Sequence, residues 1–329
     1  MTAWIFLATG LVLLVVGGDA LVRGAVSVAA RLRISPLIVG LTLVGFGTST
    51  PELAASVKAA LSGSPDIAVG NVVGSNIANI LLILGLSALV RPLLCARNAV
   101  KRDGLVAAVA AGLLVGVALF GTVPRFVGAV FLLLLGGYVV ATYLIERRES
   151  SASADLHRAE AELVVPLPGS TWIPLALVAA GIAGVVIGAS MLIDGALVIA
   201  RAAGISEAVI GLTLVAVGTS LPELTVSIIA AIKRQGDVAF GNIVGSNIFN
   251  ILGILGITAL IQPLAIPAQF VQLDIWVMAA ATLAMLAFAT TNWRLDRWEG
   301  GLFLAFYCAY LWLLFNPGAM VALGLAVGR

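Results

Sequence analysis

Residues 40–93, opening GLTLVGFGTSTPEL, align without a gap to residues 211–264, opening GLTLVAVGTSLPEL, and 33 of the 54 aligned positions are identical. Self-similarity at that level predicts two copies of one structural unit. It continues weakly upstream, where Gly24 matches Gly195 and Ser35 matches Ser206. Both copies are strongly apolar. The whole chain is 61% hydrophobic and 10% charged, with a mean hydropathy of +1.14, whereas a soluble domain carries about a quarter charged residues. So few charges cannot cover a water-facing surface, so lipid is the solvent for most of the chain. That excludes a cytosolic enzyme, a secreted disulfide scaffold and a nucleic-acid binder.

Apolar runs of spanning length fall near 4–22, 34–62, 68–90, 100–120, 124–145, 173–199, 205–233, 237–262, 270–291 and 299–325. The hydrophilic stretch from Glu146 to Ser170 divides them five and five. The expected organisation is a first five-helix repeat over 1–145, a linker loop over 146–172 and a second repeat over 173–329. The loops joining spans 1–2, 3–4, 5–6, 7–8 and 9–10 hold 14 of the 18 Lys and Arg residues. Only Lys58, Arg125, Arg201 and Arg329 fall on the other side, so the positive-inside rule predicts a cytoplasmic linker and both termini outside. No basic residue precedes Arg23, so the first run reads as a retained span rather than a cleaved signal. Five is odd, so the two copies enter the membrane from opposite sides. The predicted fold is an all-α integral membrane protein of ten transmembrane helices in two inverted five-helix repeats, with helices 2 and 7 broken. Secondary transporters built this way hold their substrate at the midplane.

The chemistry is expected where carboxylates enter the apolar runs. Glu52 and Glu223 lie deep in the second and seventh spans at matched repeat positions. A carboxylate at the centre of a spanning helix costs about 2.5–3.5 kcal/mol on insertion scales, so two such placements point to function. Gly45, Gly47 and Pro51 interrupt the second span, and Gly218 and Pro222 the seventh. Proline suits the start of a new helical segment, with Thr50 as a cap in the first copy and Leu221 in its place in the second. Each break exposes carbonyls near Gly45 and Ala216, beside the hydroxyls of Thr48, Ser49, Thr219 and Ser220. The following spans carry GNVVGSNIANI and GNIVGSNIFNI. There Ser75 and Asn79, like Ser246 and Asn250, are four apart and share one helical face. Asn71, Asn76, Asn242 and Asn247 fit bonding to helix ends or backbone, and the GxxxG pairs 70/74 and 241/245 fit close helix packing.

Such a site would hold carboxylate, carbonyl, hydroxyl and amide oxygens. Hard cations such as Ca²⁺ and Na⁺ suit it, while Zn²⁺ and Cu⁺ do not. The one histidine, His157, lies in the linker, and Cys95 and Cys308 have neither metal nor redox spacing. Asp66 and Asp237 read as interfacial helix starts, Asp19 and Asp194 as solvated charges near Arg23 and Arg201, and Arg97, Lys101 and Arg102 as topology signals.

GTSTPEL with GNVVGSNIANI, repeated as GTSLPEL with GNIVGSNIFNI, resembles the paired α-repeats of the calcium/cation antiporter superfamily, most closely bacterial sodium/calcium exchanger-like members. The resemblance implies sodium-driven calcium extrusion by alternating access, with the first and sixth helices sliding across a rigid core. It implies Glu52 and Glu223 as carboxylates shared by Ca²⁺ and Na⁺. Thr48, Ser49, Thr219, Ser220, Ser75, Ser246, Asn79 and the carbonyls of Gly45 and Ala216 complete the sites. Some members of that superfamily carry an aspartate where this chain has Asn250, which puts potassium dependence and the sodium count in doubt. A Ca²⁺/H⁺ antiporter and a passive cation channel stay open beside Ca²⁺/Na⁺ exchange. The expected partners are the transported ions and the bilayer, with no cofactor, nucleic acid or obligatory protein partner.

Overall fold

The computed structural model describes residues 2–32, 34–97, 100–149, 172–202, 216–268 and 270–316. Proline-free runs of Ala, Leu, Val and Gly become long helices. Helix α1 is Thr2–Leu32. It continues ten residues past the expected end of the first span and measures about 46 Å at 1.5 Å per residue, against about 30 Å of hydrocarbon. The second span is two helices, α2 (Pro36–Thr48) and α3 (Thr50–Leu61), bent by 42° at Ser49. Then follow α4 (Pro65–Val90) and α5 (Val100–Leu119), α6 (Arg125–Glu149) and α7 (Trp172–Ala202). The seventh span appears as α8 (Ala216–Thr219) and α9 (Leu221–Ile232). The chain continues as α10 (Gly236–Ile261), α11 (Phe270–Thr290) and α12 (Arg297–Phe315). Among the described residues eight helices are long and apolar enough to cross a membrane, or up to nine spans if the bent pair is one. Residues 205–215 of the expected seventh span, most of the expected linker and the end of the tenth span lie outside the described residues.

Wider π turns interrupt several helices: Gly40–Val44 in α2, Asn79–Leu84 in α4, Phe249–Ile254 in α10, and the first turns of α5 and α11. Such turns are often found at functional sites. Those of α4 and α10, and those of α5 and α11, recur at corresponding places in the two copies, and the counterpart of the turn in α2 lies outside the described residues. Among the spanning helices α4 and α10, which carry the GSN motifs, are the most enclosed, whereas α1, α6, α7 and α12 present Trp4, Leu11, Leu133, Trp172 and Phe306 outward. On a membrane protein these apolar faces meet lipid.

The chain packs as two compact units, one of residues 1–51 and 139–245, the other of 52–138 and 246–329. Each unit draws on both sequence repeats. In the first, α1 lies along α7. A Cβ on Gly10 would strike the backbone of Gly188 and Leu192, one on Gly17 the backbone of Gly181, Gly184 and Val185, and one on Gly195 the Ala3 carbonyl. Partner numbers fall along α7 as they rise along α1, so these repeat-equivalent helices run antiparallel. That is the inverted relation the odd span count predicts. Glycine is required here because any side chain would hold the two backbones apart.

The second unit ties its copies together at both ends. Strand β1 (Leu93–Leu94) pairs antiparallel with β4 (Arg294–Leu295), and β2 (Thr122–Val123) with β3 (Leu264–Ala265). Beside each strand pair an arginine caps a helix end from the other copy. Arg125 donates to the carbonyls of Leu260 and Ile261, and Arg297 to that of Val90. The strand register places the loops after α4 and α11 at one end of this unit and those after α5 and α10 at another, as strict alternation of spans demands.

Candidate ion-binding site

Each broken span turns at a serine. Ser49 and Ser220 hold the position before α3 and α9 with non-helical backbone (ψ 8° and 7°), and Pro51 and Pro222 are the second helical residues. The cap position is therefore one residue earlier than the sequence suggested. Thr50 is already helical and turns its hydroxyl back to the Phe46 carbonyl at 3.3 Å, so Leu221 in the second copy costs no cap. Neither serine caps its helix through the side chain. Ser49 Oγ instead donates to Glu223 Oε1 at 2.8 Å, a charge-assisted bond from the break of one copy to the carboxylate of the other.

Within the first unit, Thr48 is fully buried with its hydroxyl 3.2 Å from Asn242 Oδ1 and 3.3 Å from the Gly45 carbonyl. The Gly45 carbonyl also accepts the Ser49 N–H at 3.1 Å, so the last turn of α2 closes on it through both a backbone N–H and a hydroxyl. Pro51 and Pro222 have no N–H, so the carbonyls that lose a helical donor are those of Gly47 and Gly218. Ala216 opens α8, Thr219 is half-buried and Ser220 is buried. Glu223 is 1% exposed in the first turn of α9, where the positive end of the helix dipole favours a carboxylate. Asn242 holds this helix in place: its Nδ2 donates to the Glu223 carbonyl at 3.3 Å and to Ser227 Oγ at 2.9 Å.

The second unit repeats that brace. Asn71 Nδ2 donates to the Glu52 carbonyl at 3.1 Å and to Ser56 Oγ at 2.9 Å, and Glu52 is likewise 1% exposed in the first turn of its helix. Ser75, Asn76, Asn79, Ser246, Asn247 and Asn250 are all buried. Asn79 Nδ2 donates to Asn247 Oδ1 at 3.0 Å, joining α4 to α10. Among the described residues Asn79 Oδ1 and both amide atoms of Asn250 are buried without a hydrogen-bond partner. A buried polar group left unpaired costs about 1–3 kcal/mol per unmade bond.

The predicted ligands thus fall into two clusters. Thr48, Ser49, Thr219, Ser220, Glu223 and the carbonyls of Gly45 and Ala216 belong to the first unit, and Glu52, Ser75, Asn79, Ser246 and Asn250 to the second. Among the described residues no three of His, Cys, Asp and Glu gather as a metal site. A cation here depends on one or two carboxylates supplemented by hydroxyl, amide and carbonyl oxygens.

Residues 2–144 and 173–316 match the family described as Sodium/calcium exchanger protein. The chain belongs to that family. The exchanger is 41% identical over 329 residues to the putative antiporter CaxA of Alkalimonas amylolytica, spanning 96% of this chain and 99% of that protein. It is 36% identical over 343 residues to the sodium/calcium exchanger MaX1 of Methanosarcina acetivorans, at 95% and 98% coverage. Among solved structures it is similar to the sodium-calcium exchanger NCX_Mj soaked with 2.5 mM Na⁺ and 0.1 mM Ca²⁺, at 33% identity and a TM-score of 0.81 over 94% of this chain and 98% of that one.

Two features of the exchanger were not anticipated from its sequence. Ser56 and Ser227, the second acceptors of the asparagine braces, are identical in the two copies, a signal that was available. Asp103 and Asp274 were not singled out in the sequence, yet both are buried, and each accepts a tyrosine hydroxyl: Tyr138 at 3.0 Å and Tyr310 at 2.7 Å.

Proposed function

We propose that this exchanger is a secondary antiporter that moves Ca²⁺ one way and Na⁺ the other through a shared oxygen-ligand site near the membrane midplane. The observation that carries the reading is the Ser49–Glu223 bond. It ties the break in the first copy to the carboxylate of the second, and Glu52 follows Ser49 by three residues, a chain length of at most about 10 Å. Two carboxylates balance one Ca²⁺, and six to eight oxygens at about 2.3–2.6 Å satisfy it. Ser75, Asn79, Ser246 and Asn250, with Thr48, Ser49, Thr219, Ser220 and the carbonyls of Gly45 and Ala216, supply the neutral oxygens. Ca²⁺ and several Na⁺ competing for these ligands cannot bind together, so the arrival of one ion releases the other. Alternating exposure would come from α1 and α7, whose glycine contacts let them move as one body, and both termini would face outside.

Calcium flux into proteoliposomes under an imposed Na⁺ or pH gradient tests this. Uptake should follow the outward Na⁺ gradient, and Glu52→Gln and Glu223→Gln should each reduce it at least a hundredfold. Gradient-driven flux that survives both substitutions sinks the site assignment. Flux that follows pH and ignores Na⁺ makes the counter-ion a proton, and flux without any counter-ion makes the protein a channel.

A further inference from the structure

One end of the second unit collects cations. Arg91, Arg97, Lys101 and Arg102 lie around β1, and Arg294 and Arg297 around its partner strand β4. The other strand pair, β2 with β3, has only Arg125 beside it. Three of these six are engaged. Arg102 pairs with Asp103, Arg294 with Asp296, and Arg297 caps α4 at Val90. Arg97 and Lys101 have no carboxylate partner among the described residues. Both are exposed, and both sit over one indole, that of Trp293, at 5.0 and 5.7 Å from the ring centroid.

Two like charges four residues apart repel each other, and an anion between them would relieve that repulsion while the ring holds both cations. The ring itself occupies an unfavourable backbone. Trp293 has φ of 54°, in the left-handed region that disfavours bulky residues by about 1–2 kcal/mol. The corresponding residue of the first copy is Gly121, with φ of 75°. The two turns share one bond, the Gly121 carbonyl accepting the Ile266 N–H at 2.8 Å and the Trp293 carbonyl the Cys95 N–H at 2.9 Å. The second turn is one residue longer, and Asn292 before Trp293 is left-handed as well (φ 56°), so tryptophan holds there a backbone that glycine takes in the other copy. Strain of this kind concentrates at binding sites.

The position selects the anion. Trp293 lies between the ends of two spanning helices, α11 and α12, and Arg97 and Lys101 lie at the start of a third, α5, the level of lipid headgroups. Leu94, Leu105 and Trp298, each near one of these three residues in sequence, are exposed apolar side chains, suited to acyl chains beneath a headgroup. We propose that Arg97, Lys101 and Trp293 form a binding site for the phosphodiester headgroup of an anionic phospholipid. The site is separate from the ion ligands and independent of which ions are exchanged.

Native mass spectrometry of the full-length protein, titrated in neutral detergent with phosphatidylglycerol or phosphatidylcholine, tests the assignment without reference to transport. The wild type should retain phosphatidylglycerol at least fivefold more tightly than phosphatidylcholine. Arg97→Gln and Lys101→Gln should each weaken phosphatidylglycerol about fivefold and leave phosphatidylcholine unchanged. Trp293→Gly, which suits the backbone and therefore keeps the fold if the charge variants do not, should weaken it too. Unchanged phosphatidylglycerol retention in the charge variants overturns the proposal, and so does unchanged retention in Trp293→Gly. Displacement of the lipid by millimolar inorganic phosphate also overturns it, because the site would then serve a soluble anion.

Discussion

Asp103 and Asp274 occupy the same place in the two copies, in the first turn of α5 and of α11, and each accepts a hydroxyl from the matching tyrosine. Their neighbours differ. In the first copy Arg102 forks onto Asp103, with Nε 2.8 Å from Oδ1 and Nη2 3.0 Å from Oδ2. In the second, Leu273 stands where Arg102 does. The asparagine braces, by contrast, recur bond for bond, and the strand pairs and arginine caps recur in place. What the copies share builds the carboxylate-bearing helices and interlocks the unit. They part company in the loops and at the helix starts, where one end of the second unit has accumulated cations and the other has not. An inverted pair places its copies against opposite membrane faces, so their ends meet different chemistry while the centres must agree.

The braces offer the strongest way to break that symmetry. Asn242→Ala should remove the second donor of the Glu223 carbonyl and the amide partner of the Ser227 hydroxyl in a fully buried place, at a cost of about 2–3 kcal/mol. Asn71→Ala does the same to the Glu52 carbonyl and Ser56, although Asn71 is only half-buried, so the cost should be about 1–2 kcal/mol. Calcium flux at equal protein load should fall at least tenfold in both, because each brace holds a carboxylate helix. Loss in one variant with wild-type flux in the other would show that the copies do not share the work.

The aspartates should respond unequally. Asp103→Asn deprives Arg102 of its carboxylate and should cost about 2 kcal/mol, below the range for a fully buried pair because Arg102 keeps some solvent contact. Asp274→Asn keeps a hydrogen-bond acceptor for Tyr310 and loses no ion pair, so a cost of about 0.5 kcal/mol or less is expected. Thermal unfolding of the two variants in one detergent decides it, and equal shifts would mean that the guanidinium adds nothing.

The spans, the breaks and the two carboxylates were legible because apolar length, Gly-Pro interruption and a charge in lipid each carry a large free energy that leaves its mark on residue type. The asparagine braces were half legible. Backbone bonding was expected of Asn71 and Asn242, but their serine partners depend on how α3 meets α4 and how α9 meets α10, which no local pattern encodes. The cap position slipped by one residue because Thr50 is a good cap and a tolerable first helical residue, and the local preference is smaller than the demand for Ser49 at Glu223. Asp103 and Asp274 escaped notice because each stands near the start of an apolar run, where nothing local marks a carboxylate as buried. Burial at a span end depends on the neighbouring helix, here the one that brings Tyr138 or Tyr310.

The smallest expected effect lies at two turns. Gly63 follows α3 with φ of 78°, and its counterpart Arg234 follows α9 with φ of 63°. Arg234 is exposed, and its side chain makes no bond among the described residues that would repay a left-handed backbone. Arg234→Gly should therefore stabilise the protein by about 0.5–1 kcal/mol, the relieved strain less the added freedom of the unfolded chain. Trp293→Gly makes the same backbone change in the other loop but gives up the contacts of Arg97 and Lys101 with the ring, so its gain should be smaller or absent. The difference between the two melting shifts isolates what the indole contributes. If Arg234→Gly destabilises instead, left-handed strain is not what separates the two copies at their turns, and Trp293 loses that part of its claim to be held there by function.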